Sequence, residues 1–156
     1  MVQILKENAT QGYMVTKLDA TDKFDALQQM SGVLVEKGWV KESYVEAIQE
    51  REKVFPTGLP METIGIAIPH TDCIHVNTKC IMVGILEKPV EFVVMATDDD
   101  VCEVEVMFML GIMKPHDQLE MLSMLIDTCQ NAETISTIKA GTDMEKITEI
   151  MDALMP

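Results

Sequence analysis

The chain has 156 residues and a formal net charge of -14 at pH 7, with 47% hydrophobic and 24% charged residues. This length suits one domain, which we expect to span residues 1–156, and the composition is that of a globular rather than a disordered chain. The acidic charge argues against binding to nucleic acid or to anionic membranes, because both need clustered cations. Acidity is consistent with a basic protein partner, and equally with a requirement for solubility.

The sequence lacks the signals of membrane insertion and of secretion. No apolar run reaches the roughly 18 residues that span a bilayer, and the segment from Met1 to Asn8 has no signal-peptide features. We therefore expect a cytoplasmic protein without direct membrane insertion. The four cysteines show no paired spacing and are expected to be free, mostly buried thiols. They are Cys73, Cys80, Cys102 and Cys129.

The first half of the chain predicts two strands and two helices. The expected elements are a strand over Tyr13 to Leu18, a helix from a Thr21 cap to about Lys37, a helix from about Lys41 to Lys53 and a buried strand over Gly65 to Ile68. Gly38 supplies a left-handed stop to the first helix. The segment from Val54 to Pro60 carries two prolines and a glycine, which predicts a rigid, ordered loop.

The second half predicts three more strands and then three helices. The expected strands are Cys80 to Leu86, Val90 to Val94, paired with it as a hairpin around Glu87 to Pro89, and Val104 to Ile112. The expected helices are Asp117 to Cys129, Ala132 to Lys139 and one from the capping box of Thr142 and Glu145 to Leu154. Together these elements predict an α/β fold: a mixed β-sheet of about five strands, flanked by helices on both faces.

Two histidines occupy equivalent positions in this pattern. His70 and His116 each follow an apolar strand and stand next to a proline, before a polar segment. If the two strands run parallel, both histidines lie at the same edge of the sheet, where ligands bind in open α/β folds. A histidine that is neutral near pH 7 can serve there as a nucleophile, a base or a metal ligand.

A zinc site is the first alternative for His70. Cys73 and His75 follow it closely, and Cys80 or Cys102 could complete a tetrahedral set of ligands. Structural zinc sites normally show paired ligands at both ends, which this segment lacks. We therefore expect no metal here.

Arg51 is the only arginine of the chain. Its planar fork of donors suits a phosphate or a carboxylate. The alternative is an ordinary ion pair at the end of a helix, with Glu50 or Asp72. The loop after Arg51 leads directly into the His70 strand, which favours a role at the site.

These residues resemble a known family. The segments R-E-K-V-F-P-T-G-L from Arg51, G-I-A-I-P-H-T from Gly65 and H-D-Q-L-E-M-L from His116 are similar to the enzyme IIA domain of the bacterial phosphoenolpyruvate-dependent sugar phosphotransferase system, fructose/mannitol type. The resemblance spans essentially the whole chain. Thr71, in place of the glycine that follows the family's active histidine, is more like the galactitol-specific members.

The resemblance implies a phosphoryl carrier that needs no cofactor. His70 would accept a phosphoryl group from the phosphocarrier protein HPr and pass it to a cysteine of the IIB component, which serves the membrane permease IIC. His116 would support the site, and Arg51 and Thr57 would stabilise the phosphate. The transported substrate would be a sugar or a polyol, with galactitol as the expected one. The alternative within the family is a regulatory IIA-like domain, whose phosphorylation controls a protein partner.

Overall fold

Six strands form one mixed sheet in the computed structural model, which describes residues 2–156. The strands are β1 (Gln3–Asn8), β2 (Tyr13–Leu18), β3 (Gly58–Pro60), β4 (Gly65–Ala67), β5 (Cys80–Val93) and β6 (Val101–Gly111). The helices are α1 (Lys23–Glu36), α2 (Ser43–Val54), α3 (Asp117–Gln130), α4 (Ala132–Ala140) and α5 (Met144–Leu154), with a 3-10 turn over Cys73–His75. The expected mixed sheet is confirmed, with six strands instead of about five.

The strands follow the order β1-β2-β5-β6-β4-β3 across the sheet. β2 pairs parallel to β5 and β4 pairs parallel to β6, whereas the other three pairs are antiparallel. Because β4 and β6 run in the same direction, the loops that follow them leave the sheet at the same edge. The chain therefore brings His70, after β4, and His116, after β6, to one side of the molecule.

Helices cover both faces of the sheet, as expected. On β2, Tyr13 and Val15 pack in one apolar core with α3, α4 and α5, whereas Met14 and Leu18 pack in the other with α1 and α2. Strands covered on both faces are apolar along their whole length, which explains runs such as the one from Cys80 to Leu86. None of the helices in residues 2–156 is both long and apolar enough to cross a membrane.

The expected hairpin between Leu86 and Val90 is wrong. Residues 80–93 form one long strand, β5, whose pairing with β6 shifts register between Ile85 and Val90. Pro89 lies in this irregular stretch, where its missing N–H costs no ladder hydrogen bond. The chain reverses direction later, at residues 94–100, where Ala96 adopts a positive φ of 62°.

Two strands were not expected. β1 carries exposed and half-buried residues, and β3 is three residues long and lies within the proline-rich loop. Both are edge strands of the sheet. An edge strand forms largely because a neighbour offers it backbone partners, so its own apolar pattern is weak.

Two helix caps lie one residue later than predicted. Asp22, rather than Thr21, accepts a hydrogen bond from the Asp25 N–H, at 2.8 Å. Asp143, rather than Thr142, accepts one from the Lys146 N–H, at 3.2 Å. The predicted left-handed stop at Gly38 is confirmed by a φ of 77°.

Gly65 is the position at which we expect β4 to be most sensitive to substitution. A Cβ atom there would overlap the carbonyl oxygen of Glu103 on the adjoining strand. Gly65→Ala should lower the free energy of unfolding by about 1–3 kcal/mol, measured by urea denaturation. The control is Gly32→Ala within α1, where an added Cβ meets no atom within 4 Å and should add about 0.5–1 kcal/mol. Equal stability of Gly65→Ala and wild type would contradict the close pairing of β4 with β6.

Candidate functional site

His70 stands just beyond the end of β4, in a segment fixed to β6. The Leu110 N–H donates to the carbonyl of Pro69, at 3.0 Å. The Leu110 carbonyl in turn accepts a hydrogen bond from the buried Tyr44 hydroxyl of α2, at 2.6 Å. The backbone before His70 is therefore held by the sheet and, through β6, by α2.

The imidazole of His70 is held in one tautomer. Its Nδ1 lies 2.8 Å from the carbonyl oxygen of Ile68. A carbonyl can only accept, so Nδ1 carries the hydrogen, and in the neutral ring the lone pair is on Nε2. Burial lowers the pKa of His70, and the charge of Arg51 lowers it further, against the opposing effect of the Ile68 carbonyl. The ring is therefore held neutral, with Nε2 as its nucleophilic atom.

Arg51 occupies the last turn of α2 without a carboxylate partner. Its guanidinium carbon lies 4.7 Å from the centre of the Phe55 ring. Its Nε is enclosed and has no hydrogen-bond partner within residues 2–156. Glu50 instead pairs with Lys53, at 3.0 Å, and no ion pair between Arg51 and Asp72 forms in the described chain. The stacked guanidinium is thus available to an anion.

A small pocket of about 110 Å³ lies beside these residues. Its lining includes Arg51, Thr71, Asp72, Ile112 and Gln118. Asp72 is the one carboxylate among them, and it accepts a hydrogen bond from the Ile74 N–H, at 3.2 Å. The pocket therefore brings together Arg51, Gln118 and Thr71, the residue that follows His70, and His70 itself is not part of its lining.

His116 lies at the expected edge but forms no hydrogen bond with His70 among the described residues. It precedes α3, its side chain is 80% exposed, and its Nε2 is 3.2 Å from a carboxylate oxygen of Asp117. Within residues 2–156 no hydrogen bond joins His116 to His70, Arg51 or Thr57. The sheet brings the two histidines to one edge and leaves His116 in solvent.

Exposed apolar side chains concentrate around this edge. Five of the seven large apolar residues that are exposed within residues 2–156 stand within four positions of Arg51, His70 or His116. They are Val54, Phe55, Ile74, Met113 and Leu119. Contiguous exposed apolar patches mark protein interaction surfaces, and these five residues are the candidates for such a surface here.

Thr57 is buried, and its side chain is hydrogen-bonded to Glu52 instead of lining the pocket. Its N–H and its hydroxyl donate to the two carboxylate oxygens of Glu52, each at 2.8 Å. Its carbonyl accepts from the Ile68 N–H, at 3.2 Å. Glu52 and Thr57 thus form a buried latch that holds Ile68, whose own carbonyl binds the ring of His70.

Glu52 is the residue of the site region that sequence reasoning missed. It is only 2% exposed, and burial raises its pKa to about 7, against the two hydrogen bonds from Thr57 that lower it. The signal was present: Tyr44, Ile48 and Glu52 recur every four residues and are the buried positions of α2. A carboxylate within an apolar stripe predicts a specific buried partner.

The structure does not assemble the alternative zinc site. Nδ1 of His75 lies 2.8 Å from the Ser43 hydroxyl, and Nδ1 of His70 is bonded to Ile68. Cys80 is buried, with a pKa raised by burial to about 12. Among the described residues, no three His, Cys, Asp or Glu side chains form a metal-binding group.

Comparison with known proteins gives consistent results. The family described as "Phosphoenolpyruvate-dependent sugar phosphotransferase system, EIIA 2" matches residues 8–153. The galactitol-specific EIIA component of Escherichia coli K12 is 30% identical over 117 residues, which cover 75% of this chain and 77% of that protein. These matches confirm the expected resemblance, including its galactitol-like character.

Solved structures share the fold. Enzyme IIAMTL of Escherichia coli, in its complex with phosphorylated enzyme IIBMTL, superposes with a TM-score of 0.72 at 22% identity, over 95% of this chain and 98% of that one. The nitrogen regulatory protein IIA-Ntr of Neisseria meningitidis gives a TM-score of 0.66 at 21% identity, over 90% and 92% of the two chains. At this identity the likeness establishes the fold alone.

The latch predicts a pH-dependent stability that Glu52→Gln should remove. The folded chain keeps the Glu52 proton up to about pH 7, whereas the unfolded chain releases it near 4.5. The folded state therefore binds more protons in this window, and the wild-type free energy of unfolding falls as pH rises through it. The broken latch should lower the free energy of unfolding of Glu52→Gln by an amount that does not depend on pH. In addition, the free energy of unfolding of Glu52→Gln should rise relative to that of wild type by at most about 3 kcal/mol between pH 4 and pH 8.

Urea denaturation of both proteins across this pH range measures the difference. Glu46→Gln, an exposed position on the same helix, is the matched control and should follow the wild-type curve. Parallel curves for Glu52→Gln and wild type would show that Glu52 does not titrate in this window.

Proposed function

Because this chain belongs to the EIIA 2 family of the phosphoenolpyruvate-dependent sugar phosphotransferase system, we propose that His70 is its phosphoryl acceptor. The chain is a phosphotransferase component of that system, and the proposed donor is phospho-HPr and the proposed acceptor a cysteine of a IIB component. One observation carries the assignment to His70: its Nδ1 hydrogen is bonded to Ile68. This bond leaves Nε2 unprotonated for attack on phosphorus.

The proposed step is an in-line displacement at phosphorus. Nε2 of His70 forms a bond to phosphorus while the N–P bond of the donor histidine breaks and returns an electron pair to the donor ring. The proton stays on Nδ1, where the Ile68 carbonyl stabilises the positive charge that the His70 ring gains. In the second step the IIB thiolate attacks, the S–P bond forms, the Nε2–P bond breaks and the His70 ring becomes neutral again.

Arg51 is the proposed counter-charge for the phosphoryl oxygens. It carries a delocalised charge, lines the pocket beside His70 and forms no salt bridge within residues 2–156. We assign Thr57 a different contribution from direct phosphate binding, because both of its donors are engaged by Glu52. Thr57 would act as a positioning residue that keeps Ile68, and hence the His70 ring, in place.

The exposed apolar residues around the site are the proposed docking surface for HPr and IIB. The relative with the same fold was solved together with its phosphorylated IIB protein, which supports a IIB partner here and, through it, a IIC permease. Side chains such as Phe55 and Leu119 are 59% and 76% exposed. They can be covered and released without disturbing the two cores.

Galactitol is the proposed sugar, because relatives that match over three quarters of this chain are galactitol-specific. The regulatory alternative rests on weaker matches. The transcriptional regulator ManR of Bacillus subtilis is 28% identical over 54% of this chain, and the nitrogen regulatory protein shares the fold alone. Uptake of labelled galactitol by a strain deleted for this chain distinguishes the transport role from the regulatory role. The transport role predicts that uptake is lost in the deleted strain and returns when the chain is restored.

His70→Gln should abolish phosphorylation. Purified protein is incubated with phosphoenolpyruvate, enzyme I and HPr, and an acid-labile, base-stable phosphate is measured. His75→Gln is the matched control, because His75 lies five residues away and bonds Ser43. It should be labelled like wild type. Undiminished labelling of His70→Gln would remove His70 from the mechanism.

His116→Ala should leave folding intact and slow phosphoryl transfer to IIB. The side chain is 80% exposed, so its loss leaves no cavity, and we expect a fall in rate of about tenfold, which is less than the roughly 10²- to 10⁴-fold contributed by a positioned general acid or base. Stopped-flow transfer from the labelled variant to IIB measures the rate. A rate equal to that of wild type would exclude His116 from the reaction.

A further inference from the structure

Thr71 is unlike the other buried hydroxyl residues of the chain. The hydroxyls of Thr16, Ser31 and Thr57 donate hydrogen bonds of 2.7, 2.6 and 2.8 Å to oxygen acceptors. Thr71 is 8% exposed, yet its hydroxyl has no hydrogen-bond partner in residues 2–156. Buried hydroxyls are normally bonded to protein groups, whereas the Thr71 hydroxyl is a donor that no group of the described residues engages.

The hydroxyl of Thr71 has access to the pocket beside His70. Thr71 is part of the pocket lining. Within residues 2–156, the side-chain atoms that are fully enclosed and unpartnered are Oε1 of Gln29 and Nε of Arg51, and Oγ1 of Thr71 is not among them. It therefore retains contact with open volume.

Arg51 supplies an independent observation on the same pocket. Its Nε is an enclosed donor without an acceptor, and Arg51 lines the pocket together with Thr71. A guanidinium can only donate, and a hydroxyl can donate its hydrogen. The hydroxyl of Thr71 and the charged side chain of Arg51 border a volume of about 110 Å³, which suits an acceptor-rich group of a few atoms such as a phosphoryl group.

We propose that Thr71 is a catalytic residue whose hydroxyl donates a hydrogen bond to a phosphoryl oxygen on His70. The hydroxyl keeps its proton, and no bond to Thr71 forms or breaks. The inference rests on the proposed role of His70 as phosphoryl acceptor. Asp72 places a negative charge on the wall of the same pocket, and one of its carboxylate oxygens accepts a hydrogen bond from the Ile74 N–H. The neutral donor of Thr71 adds to Arg51 without adding charge.

Local structure keeps this hydroxyl in place. Pro69 fixes the backbone one residue before His70, and its carbonyl is bonded to β6. The β-branched side chain of Thr71 has few rotamers. The donor is thus positioned before the phosphoryl group arrives, and positioning is the main catalytic contribution in phosphoryl transfer.

Thr71→Val removes the hydroxyl and keeps the shape of the side chain. Phosphoryl transfer from phospho-HPr to this variant should be about 10- to 100-fold slower, as expected for a lost hydrogen bond to a charged group. Thr71→Ser, which retains the hydroxyl, should stay within about threefold of wild type. Thr63→Val, at an exposed position of the turn between β3 and β4, is the control and should be unchanged.

The ³¹P resonance of the phosphorylated chain gives a readout that a purely structural role would not move. It should shift in Thr71→Val and not in Thr71→Ser. If Thr71→Val does not fold, Thr71→Ala replaces it in both measurements.

The outcomes separate the two hypotheses. Wild-type protein that takes no label from phospho-HPr overturns the proposed function, and the role of Thr71 with it. Wild type that is labelled, with Thr71→Val equal to it in rate and in ³¹P resonance, overturns the role of Thr71 alone.

Discussion

The hydrogen bond from Nδ1 of His70 to the Ile68 carbonyl, 2.8 Å long, is the contact on which the rest of the site depends, because it decides which ring nitrogen is nucleophilic. This bond orients the ring only if Ile68 itself is held in place. The Ile68 N–H is held by Thr57 on one side, and the next carbonyl, of Pro69, is held by Leu110 on the other. The short strand β4 can thus orient a ring because Thr57, just before β3, and Leu110 of β6 hold the two residues that follow it.

The local charge around the His70 ring is less negative than the net charge of the whole chain suggests. The protein carries a formal charge of -14, whereas its single arginine lies beside His70, and Glu52 is buried so deeply that its pKa rises to about 7. Each of these features reduces negative charge where a phosphoryl group would sit. The surrounding field would still repel a free phosphorylated metabolite, so delivery by a docked protein fits the charge distribution better than capture from solution.

The sequence was informative wherever an element is defined by its own residues. The apolar strands that end before His70 and His116 are buried on both faces, so their runs predicted the sheet and the shared edge. β1 and β3 were missed because edge strands depend on a neighbouring strand for their backbone partners. The predicted hairpin at Pro89 was wrong because the strand continues through the proline, which lies in a register shift of the pairing with β6. Glu52 was readable from the spacing of Tyr44 and Ile48. The isolation of the Thr71 hydroxyl was not readable, since it depends on which acceptors the fold brings near.

A phosphoryl carrier has to receive its group and release it, so its site should favour the transition state over the loaded state. The pocket suits that requirement: one guanidinium is opposed by Asp72 on the same wall, and the remaining donors are neutral. Burial of His70 acts in the same direction. It lowers the pKa of the free ring, which keeps the attacking form available, and it also disfavours the charged ring of the loaded form, which assists departure. The same low-dielectric surroundings therefore serve both directions of transfer.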